Sequence, residues 1–157
     1  GSSGGGLALA LAIAIRGAGL PAPAGVFAVC PFVDLTLSGP SVQADSGEDP
    51  AAHKDSLSLL AASYFQGHEP TDPLVSPLHG DLRGLPPLFL TATRGEVLFS
   101  DTTRLADKAQ ACGVDVTLRL VDDSVHVFTL FPFLPEAGQT LAEIAVWSQE
   151  RMGAHTG

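Results

Sequence analysis

Residues 87–121 read PLFLTATRGEVLFSDTTRLADKAQACGVDVTLRLV. PLFLTA (Pro87–Ala92) is a short, nearly continuous apolar run, as a strand covered on both faces would be. SDTTRLADKAQACG (Ser100–Gly113) has the composition of a helix, with Ser100 or Asp101 as its expected N-cap and Gly113 as its stop. VDVTLRLV (Val114–Val121) alternates apolar and polar residues, the pattern of a strand nearer a sheet edge.

The flanking segments extend the same alternation. GVFAVC (Gly25–Cys30), bounded by Pro31, reads as another strand buried on both faces. The apolar run from Leu7 to Arg16 reads as a helix that stops at Gly17 and Gly19, with Pro21 and Pro23 beyond. Being apolar nearly all round, it should be covered on several sides. A long polar, Gly/Pro-punctuated connection follows Pro31 and runs to His53; connections of that length often build a site or a lid. KDSLSLLAASYFQG (Lys54–Gly67) predicts an amphipathic helix with Leu57, Leu60, Ala61 and Tyr64 on one face. A Pro-rich surface loop follows. After a loop containing SVHVF, residues Pro135–Met152 predict a final helix with Leu141, Ile144, Ala145 and Trp147 inward. The expected units are a domain over residues 1–152 and a flexible tail over 153–157. Strands alternating with helices argue for a parallel α/β sheet.

The chain has 157 residues, enough for one domain with a real core. Its formal net charge is −9 with only 8 Lys and Arg. Such a surface repels phosphate backbones, so nucleic acid is not an expected partner. Two cysteines, Cys30 and Cys112, make neither a disulfide framework nor a metal cluster. They read as unpaired thiols in or near the core. The run Leu7–Ile15 is too short to span a bilayer, and no Lys or Arg precedes it as in a signal peptide. The chain is therefore expected to be soluble and cytoplasmic.

Three residues stand out for chemistry. GSSGG (residues 1–5) fits G-x-S-x-G with Ser3 at its centre. In that motif a strained turn aims a serine hydroxyl outward at a helix N-terminus, where the next N–H, that of Gly4, can stabilise an oxyanion. The helix half of the context follows at once; a flexible tag is the rival reading. A serine nucleophile needs a base. Of the five histidines, His53, His68 and His79 lie in polar connections and His155 in the tail. His126, inside VHVF, has apolar neighbours that would hold an imidazole half-buried; a purely structural histidine is the alternative. Glu96 falls just past the PLFLTA strand, where sites form in open α/β sheets. Asp101, Asp122 and Asp123 are rival acids. Ser3, Glu96 and His126 occur in the chain order serine, acid, histidine.

With these residues in hand, the segments GSSGGGLALALA, CPFVDLTLSG, DPLVSPL, GLPPLFL, GEVLFSDTTRLADKAQACGVDVTLRL and VHVF resemble, in order and spacing, the bacterial hormone-sensitive-lipase-like esterases. The resemblance runs from residue 1 to about residue 150 and favours the turn over the tag. It implies the C-terminal half of an α/β-hydrolase fold, a mostly parallel sheet with flanking helices. The family's G-D-S-A-G-G appears here as GSSGGG, which matches the nucleophile to Ser3, the acid to Glu96 and the base to His126. The implied activity is hydrolysis of carboxylic esters with short to medium acyl chains, through an acyl-enzyme, with no cofactor and no metal. The implied partner is a small-molecule ester. The family's H-G-G-G oxyanion loop has no counterpart in these 157 residues. The isolated chain is therefore expected to be weakly active or inactive, unless a complementing N-terminal half or a second copy joins it. Alternatives are a non-catalytic half-fold binding module, or another hydrolase activity such as a lactonase or peptidase.

Overall fold

The computed structural model describes residues 1–44, 52–122 and 124–154. Three parallel strands form a sheet in the order β1 (Val26–Val29), β2 (Leu88–Thr93), β3 (Val116–Val121). Val26 stands opposite Leu88, and Leu88 opposite Val116. Helices α1 (Ser2–Gly17) and α4 (Phe99–Ala111) cover one face, and α5 (Pro135–Ala154) covers the other.

Side chains alternate across a strand, and β2 shows the consequence. Leu88 and Leu90 pack with Leu9, Ala12 and Ile13 of α1 and with Leu105, Ala106 and Ala109 of α4. Phe89 points the other way, to Ile144 and Trp147 of α5, and meets the Trp147 ring edge-on with centroids 5.8 Å apart. All of β2 is buried, which is why it reads as an unbroken apolar run. The outer strands differ. β3 is half-buried along most of its length, as its alternating pattern predicts. β1 was expected to be covered on both faces, yet Phe27 is 52 % exposed, because β1 stands at one end of the described sheet.

α1 begins at Ser2, five residues before the apolar run at Leu7, and takes in three glycines, residues 4–6. Glycine is a poor helix former, but close packing demands it here. A Cβ on Gly6 would lie 2.1 Å from the carbonyl oxygen of Phe32, and one on Gly5 2.9 Å from Cβ of Pro31. The helix therefore passes against the chain leaving β1 at a distance no larger residue permits.

α4 starts with Leu98 as its N-cap, so neither Ser100 nor Asp101 caps it. Both are occupied with the connection that leaves β1. The Asp101 carboxylate (Oδ2) accepts the N–H groups of Val33 and Asp34, each at 3.0 Å. Ser100 Oγ lies 2.7 Å from Ser41 Oγ, beside the short helix α2 (Pro40–Gln43). The connection continues to α3 (Lys54–Phe65). Leu57 and Ala61 of α3 are buried, but Leu60 and Tyr64, expected on the same face, are 59 % and 57 % exposed. The stripe that packs against Val42, Val97 and Leu98 is thus narrower than the apolar spacing suggests. In α5, Ile144 and Trp147 are inward while Leu141 and Ala145 are exposed. α5 runs past Met152 to Ala154; residues 155–157, and with them His155, lie outside the described residues, as do 45–51 and Asp123. Both cysteines are free thiols. No helix among the described residues is long and apolar enough to cross a membrane.

Candidate active site

Three chain segments meet beyond the carboxyl ends of the strands. Ser2 is the first residue of α1 and has φ +43°, a left-handed conformation that few non-glycine residues adopt. The first intrahelical bond runs from Gly5 N–H to Gly1 O at 3.0 Å, so the N–H groups of Ser2, Ser3 and Gly4 precede it and face outward. Glu96 lies in the turn between β2 and α4, and His126 in the loop between β3 and α5. That loop is tied to the end of β2: Thr93 Oγ1 accepts the Ser124 N–H at 3.0 Å and donates to the Ser124 carbonyl at 3.2 Å.

Glu96 and His126 are 2 % and 4 % exposed. A charge in so dry a place needs partners, and both carboxylate oxygens have them. Oε1 accepts the Thr93 N–H at 3.2 Å, and Oε2 faces Nδ1 of His126 in a hydrogen-bonded ion-pair geometry. The other ring nitrogen, Nε2, lies 3.0 Å from Ser2 Oγ. With the neutral ring protonated at Nδ1, that N–H donates to the carboxylate and the serine hydroxyl donates to Nε2. Hydroxyl, imidazole and carboxylate form one hydrogen-bonded line.

The structure thus brings Glu96 and His126 together, and it places Ser2 where Ser3 was expected. Ser3 is exposed, one residue further around the first turn, and lines the adjoining cleft. The motif frame explains the offset. G-x-S-x-G is complete around Ser3, with Gly1 and Gly5 at its ends, and Ser2 carries the same side chain one residue earlier. Two adjacent serines offer the same hydroxyl, and only the helix start separates them. Gly4, the expected oxyanion donor, is one residue further along than the N–H that follows Ser2. Cys30 is a second residue that the sequence reading did not connect to the site. It is fully buried, and its sulfur, a Glu96 carboxylate oxygen and a His126 ring nitrogen all lie within 4.8 Å of one another.

The rival acids stand elsewhere. Asp101 holds the Val33–Asp34 backbone, and Asp122 pairs with Arg94 at the surface at 2.7 Å. His68 is exposed. The backbone N–H of His53 donates to Ser56 Oγ at the start of α3. His79, read as solvated, bonds buried Asp34 at 3.0 Å. Asp34 also accepts from Thr36, Ser38 and Arg104. Burial acts to raise the Asp34 carboxyl, but these hydrogen bonds outweigh it and hold the group well below the usual carboxylate range.

Cys30, Glu96 and His126 are also the set of donors best placed to hold a metal ion among the described residues. The carboxylate and the imidazole are already bonded to each other, however. Burial first, then the charge of Glu96, pushes the thiol far above its ordinary range, whereas a metal ligand must be a thiolate. The arrangement suits proton transfer better than metal binding. Beside it opens a cleft of about 350 Å³ lined by Ser2, Phe32, Leu35, Leu60, Tyr64 and Leu74, among others. Its walls are mainly apolar, with Ser2, Ser3 and Ser63 among the lining residues. The exposed Leu60 and Tyr64 of α3 form part of that wall.

Comparison with known proteins identifies the fold and the family. A family described as the alpha/beta hydrolase fold matches residues 1–130. The chain is 37 % identical over 145 residues to an acetyl-hydrolase of Streptomyces hygroscopicus, covering 92 % of this chain and 48 % of that protein. It is 34 % identical over 125 residues to an esterase of Acinetobacter venetianus, covering 78 % of this chain and 41 % of that one. Among solved structures, an esterase from the bacterial hormone-sensitive lipase family superposes with a TM-score of 0.92 at 38 % identity, over 96 % of this chain and 51 % of that one. A hormone-sensitive lipase from a metagenome library gives 0.92 at 39 % identity, over 96 % and 52 %. The chain spans about half the length of the curated relatives it matches. By the family match over most of its length, the chain belongs to the alpha/beta hydrolase fold family, in the company of the bacterial hormone-sensitive-lipase esterases.

Proposed function

We propose that this protein hydrolyses carboxylic esters through a serine–histidine–glutamate triad formed by Ser2, His126 and Glu96. The observation that carries this reading is the continuous hydrogen-bonded line from Ser2 Oγ through His126 to Glu96, set beside an apolar cleft. His126 Nε2 takes the hydroxyl proton as Ser2 Oγ attacks the ester carbonyl. Glu96 holds the ring in the tautomer that leaves Nε2 free to accept, and it stabilises the imidazolium that forms. The tetrahedral oxyanion is received by the N–H of Ser3, the residue after the nucleophile, at the positive end of α1. His126 then protonates the leaving alcohol, an acyl-Ser2 ester remains, and a water deprotonated by His126 releases the acid.

The proposed substrates are esters of short to medium acyl chains. A cleft of about 350 Å³ with Phe32, Leu35 and Leu74 in its wall suits an acyl chain of that size. A complementing segment or a second copy that adds another donor is expected to raise turnover about a hundredfold.

A fluorophosphonate probe, followed by mass-spectrometric mapping of the modified peptide, tests the assignment. The label is expected on Ser2, absent in Ser2→Ala, retained in Ser3→Ala and strongly slowed in His126→Ala. A label that survives Ser2→Ala and maps to Ser3 would return the nucleophile to the motif position. No labelling of the full-length protein at any residue would refute the hydrolytic reading.

A further inference from the structure

Cys30 is the first residue past β1 and takes no part in the chemistry described above. Its backbone is in the left-handed region, φ +47°, and its N–H donates to the Thr91 carbonyl of β2 at 2.7 Å. A side chain larger than hydrogen is rarely placed there without a use for it. The sulfur lies near both buried partners of the triad: ligand atoms of Cys30, Glu96 and His126 are all within 4.8 Å of one another. It accepts a hydrogen bond from the N–H of Val127 at 3.4 Å. Val127 follows His126 directly and is itself held at φ +51°, a strained conformation for a β-branched residue. Two residues beyond Cys30, the N–H of Phe32 donates to the carbonyl of Ser2 at 3.0 Å. The segment 30–32 therefore meets all three chain segments that carry the triad.

We propose that Cys30 is a positioning residue of this site: its S–H holds the Glu96 carboxylate while its sulfur holds the backbone beside His126. A thiol has one proton and can both donate and accept. With the Val127 N–H occupying the acceptor side, the proton is left for the neighbouring carboxylate. Burial and the charge of Glu96 keep that proton on sulfur, so the donor persists across the pH range in which an esterase works. Glu96 then has three hydrogen-bond donors: the Thr93 N–H, the Cys30 S–H and the His126 Nδ1–H. A carboxylate held on both sides presents Oε2 to Nδ1 in one orientation. The inference rests on the triad reading for its catalytic meaning, but its physical content is the geometry of the Glu96–His126 pair, which can be read without turnover.

The test compares Cys30→Ser, Cys30→Ala and Cys30→Val in the full chain. Serine keeps a donor and an acceptor, alanine removes both, and valine keeps the volume without either. Two readouts are taken: the low-field proton resonance of the His126 Nδ1–H as a function of pH, and kcat/KM against pH for a p-nitrophenyl ester. Alanine and valine are expected to shift or broaden that resonance, move the acid limb of the pH profile, and lower kcat about tenfold with KM little changed. Serine is expected to restore most of what alanine loses. If alanine and valine keep the parent resonance and acid limb, Cys30 only fills space and the proposal fails. It also fails if valine matches the parent while serine does not. Failure of the triad reading is separate: it appears as unlabelled Ser2 with the resonance of the parent intact.

Discussion

Asp101 shows how far a residue can depart from the role its sequence position suggests. It stands where an N-cap is expected, yet it is fully buried and serves the Val33–Asp34 backbone instead. Burial is the main cause that raises its carboxyl to about 7; the Val33 N–H opposes the rise and the charge of Asp34 adds to it. In the unfolded chain the same carboxyl titrates at about 4. The folded state therefore favours the protonated form. The stability this contributes is fully present below about pH 4 and is lost as pH rises through about 7. Asp34, held low, has the opposite sign: its contribution is lost as pH falls below about 4. Asp101→Asn keeps an oxygen for the two N–H groups but cannot ionise. It is expected to flatten the fall in stability between pH 5 and 8, a change on the order of a few kcal/mol. Urea midpoints measured across that range check this. An unchanged slope would mean that Asp101 is not the group titrating.

At the scale of the element, α1 owes its position to glycines rather than to its apolar residues alone. Gly6 passes so close to the Phe32 carbonyl that a methyl group would sit 2.1 Å from it, whereas nothing lies within 4 Å of a Cβ on Gly4. Gly6→Ala is expected to cost about 3 kcal/mol or to prevent folding, because backbone must move on both sides of the contact. Gly4→Ala is expected to be neutral, or stabilising by up to about 1 kcal/mol, through the reduced freedom of the unfolded chain. Thermal unfolding of the two variants separates these outcomes, and equal losses would contradict the packing argument. The same contact matters for chemistry. The Phe32 N–H holds the Ser2 carbonyl at 3.0 Å, so the approach that demands glycine also ties the first residue of the helix to the chain leaving β1.

Over the whole molecule, two apolar layers sandwich the sheet, and a third cluster under the connection from β1 to α3 supports the rim where the site lies. On the α5 side, Trp147 carries much of the packing. It is 7 % exposed, meets Phe89 edge-on, and lies so close to Gly25 that a Cβ there would fall 2.4 Å from its ring. Trp147→Ala is expected to cost about 3–5 kcal/mol, read as a lower urea midpoint. A loss below 1 kcal/mol would show that α5 is held mainly by its other contacts. The separation of layers also accounts for the exposed Leu60 and Tyr64. Their spacing places them on an apolar face, but the core beneath α3 takes only Leu57 and Ala61, and the outer pair is left to line the cleft.

What the sequence by itself determined is the alternation of strand and helix and the ranking of Glu96 and His126 above the other acids and histidines. Both are local properties. Apolar runs, Gly and Pro stops, and a position just beyond a strand can all be read from neighbouring residues. What only the tertiary structure decided is everything that depends on contacts between distant segments: Ser2 rather than Ser3 on the imidazole, Asp101 on the β1 connection rather than on its own helix, His79 on Asp34, and Cys30 against Glu96. Two adjacent serines are equivalent in composition and in spacing. They become different only in the fold, where Phe32, thirty residues away in the chain from Ser2, bonds the carbonyl of one of them and the hydroxyl of that same residue meets His126.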